Sequence, residues 1–97
     1  MRVKFSSRAN IEVRRILEFY RREAGASVTR QFVVDLQSSI DRIKAWPNAF
    51  PLIDGKTHRV LLKRFPFLVL YEVRSQTEIR ILAVRHQRQD PDLSLRV

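Results

Sequence analysis

Residues 58–91 read HRVLLKRFPFLVLYEVRSQTEIRILAVRHQRQDP, three short apolar runs parted by only a few turn residues each. Val, Leu, Ile and Phe dominate the runs, which suits strands. Pro66 separates the first two, and Arg74-Ser75-Gln76-Thr77 turns the second into the third. Strands joined this closely must pair antiparallel, because a parallel crossover needs roughly a dozen residues or more. Strands are therefore expected at about 57–64, 66–74 and 77–86. Phe67 to Tyr71 is nearly all apolar, which predicts a central strand buried on both faces. The third run stops in Arg85-His86-Gln87-Arg88, followed by Asp90-Pro91. The last strand should thus deliver a His and two Arg side chains to one rim of a small sheet.

Working back from the sheet, Arg2-Val3-Lys4-Phe5-Ser6 alternates polar and apolar and reads as a half-buried strand. Ser7 is a candidate helix N-cap. Ala9, Val13, Ile16, Leu17, Tyr20 and Ala24 follow at helical spacing, with Arg14, Arg15, Arg21 and Arg22 facing away. Gly25 should end this helix and Ser27 cap the next, whose stripe is Val28, Phe32, Leu36, Ile40 and Ile43. Pro47 stops that helix just after Trp46. Helices at 7–24 and 27–46 joined by so few residues form an antiparallel hairpin. Residues 47–56, with Pro47, Pro51 and Asp54-Gly55, form a loop.

The order is β-α-α-β-β-β, an α+β fold with the helical hairpin on one face of a small antiparallel four-stranded sheet. The N-terminal strand should lie beside the last one. Phe67, Val69, Tyr71, Ile79, Ile81, Leu36, Ile40 and Leu17 are the expected core. The other sheet face should stay partly open and apolar.

Ninety-seven residues make one expected domain, 1–97, and a 44% hydrophobic content suffices for a packed core. There is no cysteine, which removes disulfides and thiolate chemistry together. The N-terminus carries no long apolar stretch, so neither signal peptide nor membrane span is supported and a soluble cytoplasmic protein is expected. Nineteen Lys and Arg against ten Asp and Glu leave +9, spread over both halves of the chain. Such a field attracts polyanions, and nucleic acid or an acidic protein satisfies it equally.

The sites follow from what is present. Two histidines, His58 and His86, and no His/Asp/Glu cluster at ligand spacing argue against a metal site. Two isolated glycines cannot build a phosphate-binding loop, and no cofactor is expected. What remains is a basic rim of Arg59, Lys63, Arg80, Arg85, His86 and Arg88. In RNA cleavage His86 could act as general acid or base, with Arg85 or Arg88 clamping phosphate. The alternative is that His86 closes a strand end while the arginines are solvated or paired with an acidic partner.

The chain also resembles the RelE/ParE superfamily of toxins from type II toxin–antitoxin, or plasmid stabilisation, modules. The resemblance rests on Ser7-x-Ala9 opening the first helix and on the Arg59–Val73 hairpin with its Phe65-Pro66-Phe67 corner. It extends through Ile79-x-Ile81-Leu82-Ala83-Val84-Arg85-His86 to Arg88-Gln89-Asp90-Pro91. It implies an acidic, ParD-like antitoxin that folds on binding, in a hetero-oligomer, with its acids on arginines such as Arg14, Arg15, Arg59 and Arg85. In the RelE-like branch, which cleaves mRNA on the ribosome, the working cations and terminal Tyr fall near Arg59, Leu61, Leu68, Gln87 and Leu93. Arg59 alone matches, so a ribonuclease here would depend on His86 with Arg85 and Arg59. The Arg88-Gln89-Asp90-Pro91 ending resembles the ParE-like branch, which poisons DNA gyrase. That branch is the first expectation. It implies no catalytic residues, a target-facing set of Arg85, His86, Arg88 and Asp90, and nucleic acid touched only indirectly. A His86-dependent endoribonuclease is second and a nontoxic binding module third.

Overall fold

The computed structural model describes residues 1–89. Strand β1 (Arg2–Phe5) leads into helices α1 (Ser7–Glu23) and α2 (Gly25–Ala45), then strands β2 (His58–Leu61), β3 (Phe67–Val73) and β4 (Glu78–His86), and a short 3-10 turn at Gln87–Gln89. The sheet order is β1-β4-β3-β2. As the short connections require, β2–β3 and β3–β4 are antiparallel. The first strand does lie beside the last, but it runs parallel to it. The sheet is therefore mixed, not wholly antiparallel. The whole helical hairpin separates β1 from β2–β4, so the long crossover that parallel pairing needs is available there.

The helix ends differ from the sequence reading by a residue or two. Ser6, not Ser7, caps α1: its hydroxyl accepts from the Ala9 amide at 3.0 Å and donates to the Leu82 carbonyl at 3.0 Å. Gly25 takes φ +88 between the helices, the left-handed conformation that a side chain disfavours. Helix α2 starts at that glycine, and Ser27 lies inside it instead of capping it. At the far end α2 stops at Ala45, with Trp46 as its C-cap, just before Pro47.

Both helices lie on one sheet face. Ala9, Phe32, Leu36, Ile40 and Ile43 pack there on Val60, Phe67, Val69, Tyr71, Ile79, Ile81 and Val84, with Leu17 and Tyr20 half-buried beside them. Phe32 and Phe67 meet edge to face with centroids 5.4 Å apart, and Tyr20 and Phe65 at 5.3 Å. Such pairs add about 0.5–1.5 kcal/mol each beyond area burial. They pin the helical hairpin to the Phe65-Pro66-Phe67 corner.

The other face is less open than expected. Leu68, Leu70 and Ala83 are buried there, with Ile53 from the 47–57 segment and Leu82 packed against them. That segment also guards the outer edge of β2, since the Arg59 amide donates to the Pro51 carbonyl at 2.9 Å. Asp54 turns it by accepting from the Lys56 and Thr57 amides at 2.8 and 2.7 Å. Those two bonds hold its carboxyl below the usual value.

A bulge in β4 decides which side chains face which way. Leu70 opposes Ala83 while Tyr71 opposes Ile81, so the register steps past Leu82. An extra residue in one strand switches the alternation of everything after it. Ile81 and Val84 thus both reach the helical core, whereas Ala83 joins Leu68 and Leu70 on the opposite face.

Two polar tethers cross the layers. Asp35 on α2 is buried, and its Oδ2 accepts from the Arg64 and Phe65 amides at 3.0 and 2.8 Å, fixing the β2–β3 turn. The Tyr71 hydroxyl donates to the Pro47 carbonyl at 2.6 Å, tying the central strand to the end of α2. Asp35→Ala should leave both amides without an acceptor and cost about 2–4 kcal/mol in urea unfolding, with Asp35→Asn costing less. Burial pushes the Tyr71 phenol up to about 12 from its ordinary value of 10.0. The folded state therefore holds this proton more tightly than the unfolded chain does. The resulting stability is complete below about pH 10 and is lost as pH rises towards about 12, up to roughly 2 kcal/mol. Tyr71→Phe should lower stability near neutrality by about 1 kcal/mol for the lost hydrogen bond and flatten this alkaline decline. Unfolding curves of both proteins at several alkaline pH values would check it.

Candidate functional site

The end of β4 is where the sequence placed Arg85, His86 and Arg88 of the basic rim. Strand β1 pairs with β4 only as far as Phe5 opposite Ile81. Beyond that point helix α1 takes over the edge. The Ser6 amide donates to the Ile81 carbonyl at 2.9 Å. Glu12 Oε1 then accepts from the Val84 amide at 2.9 Å, and its Oε2 receives Arg85 Nε at 3.4 Å. Arg85 starts from the sheet face away from the helices, opposite Leu68, and bends round the free edge to meet this carboxylate.

Next to this contact lies an open groove of about 580 Å³ between α1 and the end of β4. Ile16, Phe19 and Phe67 give it an apolar floor, while Arg15, Arg85, His86 and Arg88 supply a basic border. Phe19 is 51% exposed, unusual for a Phe that has a core available to it. An aromatic ring left in water beside four basic side chains offers an anchor and a charged rim to a partner.

His86 faces the helical side of the sheet. It pairs across from Phe67, whose ring meets the imidazole edge to face at 5.3 Å. Its Nδ1 accepts from the Arg88 amide at 3.1 Å, so in the neutral ring the proton sits on Nε2. His58 serves the fold: it is buried, stacks on Tyr71 at 4.8 Å, and shares a 2.8 Å hydrogen bond between Nδ1 and the Phe50 carbonyl.

The structure thus brings Arg15, Arg85, His86 and Arg88 together. Arg14 is exposed on α1 but does not line the groove. Arg59 is elsewhere. It opposes Leu70 on β2, two strands away from β4, and it projects from the sheet face opposite to His86. One of its terminal nitrogens is buried without a hydrogen-bond partner among the described residues. Arg80 belongs to the other end of β4, where it meets Glu78 at 3.4 Å. The basic rim of the sequence reading is therefore split between faces and ends of the sheet. Asp90 lies outside the described residues. Glu12, Ile16 and Phe19 were missed as site residues because each fits an ordinary helix pattern, and only tertiary packing places them at the edge of β4.

Among the described residues no group of three or more His, Asp or Glu side chains is placed to hold a metal ion, and no helix is long and apolar enough to cross a membrane. No protein with a curated description matches the sequence. Among solved structures, a chain of the chromosomal ParDE toxin–antitoxin system from P. aeruginosa shares the fold with a TM-score of 0.76 at 21% identity, over 89% of this chain and 95% of that one. The family model of the ParE toxin of type II toxin–antitoxin systems matches residues 3–91, from the first strand through both helices to the basic rim. The chain belongs to the ParE toxin family of type II toxin–antitoxin systems.

Proposed function

We propose that this protein is a cytoplasmic toxin that poisons DNA gyrase by binding it, and that an acidic antitoxin neutralises it. The observation that carries the binding reading is the exposed Phe19 ring on the floor of the groove beside His86. A ribonuclease needs its proton-transfer group and its phosphate clamps converging on one phosphodiester. Here the half-buried His86 looks to one side of the sheet and Arg59 to the other, while Arg85 and Arg88 stay beside His86. The groove beside His86 combines an apolar floor with cations. This suits a protein segment, whose apolar anchors give affinity while charges steer and orient it.

In this reading Arg88, His86 and the chain beyond them face the target. Arg85 has a share in that surface and a structural role through Glu12. The antitoxin brings acids to Arg14 and Arg15 on α1 and to Arg85 and Arg59 on the sheet. The family match and the ParDE likeness support an antitoxin partner.

Two experiments bear on the proposal. His86→Gln should retain most toxicity, because a binder has no proton to move. Deletion of everything after Gln87 should abolish inhibition of purified gyrase while leaving antitoxin binding largely intact. That cut spares the Gln87 amide, which donates to the Pro66 carbonyl at 2.9 Å and holds the strand end. A folded but nontoxic His86→Gln protein, with ribosome-dependent mRNA cuts from the wild type, would move the assignment to the ribonuclease. For the antitoxin, Arg14→Glu and Arg15→Glu together should weaken the complex by roughly tenfold or more and flatten its salt dependence. Calorimetric titration at several salt concentrations reads both effects.

A further inference from the structure

A second basic concavity lies apart from the groove beside α1 and takes in Lys63 of the expected rim. Helix α2 and the β2–β3 turn enclose an open cleft of about 530 Å³. Its lining includes three cations, Arg30, Lys63 and Arg64, together with Ser27, Gln31 and Ser38. All three cations are exposed, and none forms an ion pair among the described residues. The acid at this place, Asp35, is buried and already committed to the Arg64 and Phe65 amides. Those bonds set the turn firmly, so Lys63 and Arg64 are presented from a fixed backbone.

We propose that this cleft binds the phosphodiester backbone of a nucleic-acid duplex. Phosphate contacts are made by Arg and Lys with Ser, Thr, Asn and Gln as supporting donors, and that is the composition of this lining. A protein partner would call for buried apolar anchors, since exposed ion pairs alone contribute about 0–1 kcal/mol each. This cleft offers Val34 as its one large apolar side chain, whereas the groove beside α1 offers Phe19, Ile16 and Phe67. A polyanion gains instead from counterion release, which rewards each neutralised phosphate. The cleft also adjoins the rim. The Gln87 amide bonds to the Pro66 carbonyl at 2.9 Å, so the chain that carries Arg88 is seated on the turn that carries Lys63 and Arg64. Arg15 and Arg88 thus line one hollow and Arg64, Lys63 and Arg30 the other, with this hydrogen bond between the segments that carry them. The inference is independent of the gyrase reading, because its test contains no gyrase.

The test is binding of the full-length protein to short labelled DNA and RNA duplexes of equal length, followed by fluorescence anisotropy across a salt series. The variant Arg30→Gln/Lys63→Gln/Arg64→Gln should bind at least tenfold more weakly near 0.1 M salt. Its slope of log affinity against log salt should shrink by roughly 2–3. The tighter of the two duplexes names the kind of nucleic acid. A control, Arg8→Gln/Arg21→Gln/Arg22→Gln, removes the same charge from α1 and should change the slope by less than half as much. Equal losses in the two variants, or none in the cleft variant, would overturn the proposal. So would equal loss of a polyglutamate peptide, which would make the cleft a site for acidic protein. Thermal unfolding should be unchanged by the cleft substitutions. If it is not, Arg30→Gln/Lys63→Gln, which leaves the Asp35-bonded residues alone, must show the same selective loss for the proposal to stand.

Discussion

Strand β4 is nine residues long and its edge partner β1 is four, and that mismatch organises the molecule. A strand that outruns its neighbour leaves amides and carbonyls bare, which is both costly and an invitation to aggregate. Here the first turns of α1 complete the edge. Ser6 closes it at Ile81 and Leu82 while its hydroxyl also starts the helix, and Glu12 closes it at Val84. One serine and one glutamate therefore fix where α1 lies along the sheet. The groove exists because of that position. Had β1 run on to cover residues 82–86, a strand would stand where Glu12, Arg15 and Phe19 now face Arg85 and His86.

Much of this was legible in the sequence, and the exceptions have physical reasons. The hairpins were readable because short links allow only antiparallel pairing, and the helical pair because Gly25 interrupts two apolar stripes. Phe67, Val69, Tyr71, Ile79, Ile81, Leu36 and Ile40 are buried as the periodicity indicated, and Leu17 is half-buried. The direction of β1 was not readable, since a four-residue alternating segment carries no mark of its orientation. Nor was the bulge. Strict alternation after Ile81 places Ala83 and Arg85 on the helical face, whereas the step past Leu82 puts Val84 and His86 there. A one-residue shift exchanges the faces of all that follows. That shift is what parts His86 from Arg59, which the sequence had set on one rim.

The second sheet face shows the same limit. A central strand that is apolar throughout requires cover on both sides, and the sequence offered no second helix layer to provide it. The 47–57 segment supplies part of it through Ile53, which a reading based on Pro and Gly content treats simply as a loop. Loops are identified by their turn residues, but their apolar contribution depends on where they return to the sheet. The Arg59 amide bonded to Pro51 records that return.

The charge of +9 acquires a structure once the acids are located. Glu78 holds Lys4 and Arg80, Glu72 holds Arg74 and Lys56, and Glu12 holds Arg85. Asp35 and Asp54 are taken by backbone amides. Five of the ten carboxylates are thus spent on the sheet and its turns, while exposed arginines such as Arg14, Arg15, Arg30 and Arg64 keep their charge towards solvent. Like charges crowded on one small surface repel one another and weaken the folded state. A partner that brings acids to those surfaces gains twice, from its own attraction and from relief of that repulsion. The free protein is therefore held above its electrostatic optimum by its own composition, and binding a polyanion is the direct way to lower it.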